Sequence, residues 1–166
     1  MMVEMKVAGL TIDPVTNTPI VILKDREEKR VLPIWIGLFE ASAIATELEG
    51  INFSRPMTHD LIRDILATLG IEVLKVEVHD LRNNTFFANI HLLREGKTQV
   101  IDSRPSDALA LALRAGAPIY VEERVIEKSR NIDVGTKISD LEKEKEDKLK
   151  DFLENLDPDD FGKYKM

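Results

Sequence analysis

Between Ile101 and Pro118 the chain reads IDSRPSDALALALRAGAP. Two carboxylates (Asp102, Asp107), a guanidinium (Arg104) and two hydroxyls (Ser103, Ser106) precede or open an almost purely apolar helix. A helix start leaves N–H groups without partners and carries partial positive charge, so it suits a phosphate. An adjacent arginine adds a two-pronged clamp for oxygen anions. Asp102 ends a strand and Asp107 starts the helix, so the intervening loop could join them around Mg²⁺ or Mn²⁺, with water completing the shell. The plainer alternative is a helix cap and an ion pair that lock the loop, and the sequence leaves both open.

Ser-Arg-Pro occurs once more, at 54–56, ahead of a helix that begins with His59 and Asp60. Both segments run Ser-Arg-Pro, acid, apolar helix, glycine, Val/Ile strand, which suggests a duplicated unit with Arg55 and Arg104 in related places. An imidazole beside a carboxylate is general acid/base material, although an exposed first-turn pair would look the same. Glu40 and Glu47 share a helix face but lie roughly 10 Å apart along the axis, too far for one ion. Glu40 could still face a site built by other elements. On the next hairpin, Glu77, His79, Asn89 and His91 can fall on one face, where a His-His-Glu set could ligate a metal. No HExxH, P-loop, GxSxG or glycine-rich dinucleotide turn occurs.

The elements that must position these groups are an alternation of strands and helices. Residues 2–10, 19–24 and 31–36 have strand patterning, and LFEASAIATELEG follows as a helix stopped by Gly50. A second helix starts at Thr58 as N-cap, with Leu61, Ile62, Ile65, Leu66 and Leu69 as its apolar stripe. EVLKVEVHDL and FFANIHLL form a hairpin. A three-residue Asn83-Asn84-Thr85 loop would set Val76 opposite Leu92 and Val78 opposite Ile90. TQVID is the next strand. The third helix is apolar all round and so should be buried, and IYVEERVIEKS is a short strand running into a helical turn. Beyond Ser139 comes a charged helix with Leu141, Leu149, Phe152, Leu153 and Leu156 as a broken apolar stripe, suited to a protein partner.

The expected fold is α+β: a mixed or antiparallel sheet with three main helices, an internally duplicated β-α-β type unit and a charged C-terminal helix. Residues 1–137 form the domain and 138–166 the helical tail. The absence of cysteine removes disulfides and thiolate zinc sites. No run reaches the roughly twenty apolar residues of a membrane span, and no signal peptide is legible, so the expected location is cytoplasmic. A net charge of −7 argues against a broadly basic nucleic-acid surface. The tail from Ser139 carries ten acids and six bases, so the domain itself is nearly balanced and a local basic groove remains open.

VLPIWIGLFEASAIATELEG, RPMTHDLIRDILATLG and IDSRPSDALALALRAGAPIYV, in that order, resemble the bifunctional nuclease family across roughly residues 3 to 130. The resemblance implies a compact α+β domain with a duplicated core, often dimeric, that hydrolyses DNA or RNA phosphodiesters. It matches Gly37, Glu40, Arg55, Pro56, His59 and Asp60, and Asp102, Ser103, Arg104, Pro105, Ser106 and Asp107. On this basis Arg55 and Arg104, with Ser103 and Ser106, are expected to bind phosphate. Asp102 and Asp107, with Glu40, would place a divalent ion or water, and His59 and Asp60 would complete the catalytic set. Some relatives continue into a UVR-type helical hairpin, for which this acidic tail is too short. The rival reading is a binding or regulatory module, for a protein or an anionic ligand, in which the Ser-Arg-Pro loops are clamps.

Overall fold

A computed structural model describes residues 1–130 and, beyond them, Glu154 alone. The expected tail helix and the 137/138 boundary lie outside the described residues. Seven strands form one sheet: β1 (Met2–Ile12), β2 (Pro19–Asp25), β3 (Val31–Trp35), β4 (Glu72–Arg82), β5 (Thr85–Arg94), β6 (Lys97–Ser103) and β7 (Ile119–Glu122). Four helices accompany them: α1 (Leu38–Leu48), α2 (Thr58–Thr68), α3 (Pro105–Ala115) and α4 (Glu123–Ser129). The fold is α+β, as the alternation predicts, with α4 a full helix where a single turn is expected. No described helix is long and apolar enough to cross a membrane.

The strand order is β3-β2-β1-β7-β4-β5-β6. Two antiparallel meanders, β1–β3 and β4–β6, are joined by the four residues of β7, antiparallel to β1 and parallel to β4. Helix α1 packs on β1 and β2, α3 on β4 and β5, and α2 lies against α3. The core fills the space between sheet and helices, with Val76, Val78, Ala88 and Val121 on one side and Ile44, Ala45, Ala108, Leu109 and Ala112 on the other. The small residues of α3 let its backbone approach the sheet closely, and Pro105, Ser106 and Ala108 to Ala112 are all buried. Leu109 has no exposed surface, and truncating it to Ala would cost about 2–5 kcal/mol.

The β4–β5 register differs from the expected one. The turn is the two residues Asn83 and Asn84, both at positive φ, with Arg82 opposite Thr85. That is the backbone of a tight hairpin turn whose twist suits the strands, and asparagine tolerates it. Irregularities between Val73 and Lys75 and between Val78 and Asp80 absorb the face mismatch that argues against a short turn. Val76 therefore meets Ile90, and Val78 meets Ala88.

The two Ser-Arg-Pro segments are not equivalent. Pro105 is the first residue of α3, with Arg104 as its N-cap, whereas α2 begins two residues after Pro56, with Met57 as N-cap instead of Thr58. The Met57 N–H is held by Asp60 Oδ2 at 3.0 Å, so Asp60 closes the turn from inside the helix. The duplicated plan survives one level up, since α2 leads into β4 and α3 into β7, and those strands lie parallel and adjacent. The stripe of α2 is not buried either: Leu61, Ile62, Ile65 and Leu69 all face solvent.

Candidate functional site

Two helix starts meet at one cleft. Gly37 opens α1 directly after β3, Arg104 opens α3 directly after β6, and both line a cavity of about 250 Å³ beside the β4–β5 turn. Arg104 has extended backbone, as an N-cap requires, and its side chain folds back over the first turn. Its Nε donates to Asp107 Oδ2 at 2.8 Å, and its Nη1 donates to Glu40 Oε1 at 2.8 Å. Asp107 Oδ1 lies 2.9 Å from His59 Nε2. Glu40, Arg104, Asp107 and His59 thus form one chain of hydrogen bonds across α1, α3 and α2.

Burial pushes the Asp107 carboxyl up, but the hydrogen bonds and charges of Arg104 and His59 outweigh it and hold the group below its ordinary range. An ionised carboxylate only accepts, so His59 donates from Nε2 and Nδ1 is its remaining ring nitrogen. Arg104 is held as a cation by Asp107 first and Glu40 second. Two carboxylates offset its charge, yet its side chain is 64% exposed and Nη2 has no partner among the described residues. Glu40 reaches Arg104 by lying across Gly37, where a Cβ would collide with the Glu40 carboxylate.

Asp60 has a different task. Burial raises its pKa, but the Met57 amide and Arg114 together draw it below the usual carboxylate range. Arg114, whose side chain is 3% exposed, donates from Nε to Asp60 Oδ1 at 2.7 Å, from Nη1 to the Ala110 carbonyl at 3.0 Å and from Nη2 to the Ala43 carbonyl at 2.9 Å. One guanidinium therefore ties α1, α2 and α3 together and holds the α2 turn that carries His59. Sequence reasoning did not single out Arg114. Its signal is a single basic residue in the last turn of a helix that must be buried.

The other expected residues disperse. Arg55 is exposed in the loop before α2 and lines a separate cleft with Arg63 and Arg114. Ser103 Oγ donates to the Arg104 carbonyl at 2.8 Å, and Ser106 is buried on the cleft wall. Asp102 is exposed on β6, with no hydrogen bond or ion pair to Asp107 or Glu40. Among the described residues, no three His, Asp or Glu side chains converge as metal ligands would. The hairpin cluster is an ion-pair network instead. Glu77 lies 2.7 Å from His91 and 2.5 Å from Lys75, with His79 outside it. Burial raises the Glu77 pKa, and its interactions with Lys75 and His91 outweigh that.

Residues 21–133 match the sequence pattern of the bifunctional nuclease domain. The chain belongs to that family. It is 40% identical to an uncharacterized protein of Mycobacterium tuberculosis over 95% of this chain and 97% of that one. It is 23% identical to Bifunctional nuclease 1 of Oryza sativa subsp. japonica over 68% of this chain, and 28% identical to Bifunctional nuclease 2 of Arabidopsis thaliana over 56%. The matched region spans about a third of each plant protein.

Proposed function

We propose that this bifunctional nuclease domain hydrolyses phosphodiesters of DNA or RNA at the cleft between the starts of α1 and α3. The observation that carries the reading is the chain Glu40–Arg104–Asp107–His59, which reaches the cleft through Glu40 and Arg104. The free N–H groups of two first turns and the unpaired Nη2 of Arg104 offer donors to a phosphate, preset where charge builds as water attacks phosphorus. The bond to one ester oxygen then breaks and that oxygen takes up a proton. We assign that proton to His59, whose Nδ1 is the ring nitrogen not engaged by Asp107. A divalent ion would find Asp107 already engaged by two partners and Asp102 apart from it, so the donor set does not fit a resident metal and no step here runs through one.

The test is cleavage of labelled single- and double-stranded DNA and RNA by the full chain in Mg²⁺, Mn²⁺ or EDTA. Loss of cleavage in folded Arg104→Ala supports the reading. Equal cleavage by wild type and variant overturns it.

A second reading, a module that binds protein, is favoured by one observation: α2 exposes an apolar stripe and β6 ends the sheet with Val100 and Ile101 exposed. A second copy of the chain is the occupant that this edge fits. A two-fold axis perpendicular to the sheet, level with Val100 and midway between the strands, would pair the two β6 strands antiparallel. Thr98 then lies opposite Asp102 of the second copy, a hydroxyl against a carboxylate, and the exposed stripes of the two α2 helices are on the same side of the extended sheet.

A further inference from the structure

Aromatic side chains gather at the cleft beside Arg104. The chain has only nine of them, six Phe, two Tyr and one Trp. Trp35 and Phe86 line the cleft, and Phe39, 85% exposed in the first turn of α1, lies outside that lining at the helix start beside it. A free-standing phenylalanine in the first turn of a helix contributes nothing to the core. Trp35 is fixed, since its Nε1–H donates to Asp13 Oδ2 at 3.1 Å. Asn84 and Thr85 of the hairpin turn add amide and hydroxyl groups to the same wall.

From this arrangement we infer that the cleft receives one unpaired nucleobase, so that the substrate class of the site is single-stranded nucleic acid. The inference rests on the phosphodiesterase reading for the role of Arg104, and on the aromatic wall for the base. Pockets for drug-sized ligands run to about 300–1,000 Å³, so 250 Å³ suits a single ring system and not a stack of several. Aromatic faces accept any base, while the amide of Asn84 and the hydroxyl of Thr85 can meet its polar edge. The backbone phosphate then lies at the rim, within the province of Arg104 and the helix starts. A duplex keeps its bases stacked and would have to extrude one, which single strands do not.

The charge balance points the same way. Arg104 is the cationic residue of the cleft lining and is already offset by Glu40 and Asp107, so contacts there release few counterions and binding should vary little with salt.

The experiment uses the full chain in EDTA and the emission of its single tryptophan, which is Trp35. A short oligothymidylate, the same strand with abasic sugars and a duplex of equal length are titrated in turn. The expected result is a change in Trp35 emission with the base-bearing single strand alone. Phe39→Ala, at an exposed position that leaves the fold intact, should weaken that binding about 5- to 100-fold. Equal affinity for the abasic strand, tighter binding of the duplex, or unchanged affinity and emission in Phe39→Ala overturns the base site. If the abasic strand is bound and cleaved as well as the normal one, hydrolysis stands and the base site falls. If single strands perturb Trp35 and are never cleaved, the base site stands and hydrolysis falls.

Discussion

A single methyl group tests the site's geometry. Gly37 has φ −75°, which alanine adopts without strain, so Gly37→Ala acts only by displacing the Glu40 carboxylate that lies over it. Glu40 is flexible and can swing away, at the loss of its bond to Arg104. The expected outcome is a drop in cleavage with a stability change under about 1 kcal/mol, since exposed ion pairs contribute little. Arg114→Ala should behave in the opposite way. It leaves two carbonyls and a carboxylate without their donor, and breaking a pair this enclosed costs on the order of 3 kcal/mol, read as a shift in the urea midpoint. The same pair sets an acid limb. Because Asp60 is lowered in the folded state, it contributes stability above the ordinary aspartate range that is lost as pH falls through its folded pKa. In Asp60→Asn the stability gap to wild type should therefore close below about pH 4; a gap independent of pH would assign the loss to packing. Glu40, Arg104 and Asp107 were legible because charges at a helix start have few neighbours to hide among. Arg114 was not, because its role depends on carbonyls of two helices that no spacing rule brings together.

At the scale of elements, strand positions were legible where alternation is framed by glycine, proline and asparagine, and all six longer strands fall where the pattern sets them. Register was not. It depends on two irregularities in β4 that leave no mark on composition, and they reverse the inference drawn from matching faces across the turn. Asn83 is at φ 49° and Asn84 at φ 59°. A β-branched residue resists that conformation, so Asn83→Val should cost about 1–2 kcal/mol in urea unfolding, whereas a three-residue loop would make the change nearly neutral. The duplication legible in the two Ser-Arg-Pro motifs is real in the order of elements and absent in detail. Moving the proline by two residues relative to the helix start sends Arg55 to one cleft and Arg104 to another.

For the whole molecule, the bare edge at β6 and the stripe on α2 bear on assembly. If a second copy covers them, size-exclusion chromatography with light scattering should give a dimer for wild type and a folded monomer for Ile65→Glu. A wild-type monomer at micromolar concentration would leave the stripe to another partner. The opposite edge is β3, and the cleft draws on both ends of the sheet, with Trp35 from β3 and Arg104 directly after β6 in its lining. The placement of β7 also constrains how the protein comes into being. Each meander can pair its own strands as it leaves the ribosome, yet the halves have no shared sheet until residues 119–122 are made and slide between β1 and β4. The sheet beneath α1 and α3 becomes continuous only then, so the cleft is expected to be completed late in the newborn chain. Nucleic acid at the ribosome, abundant and within reach throughout synthesis, meets no assembled site until the domain is nearly whole.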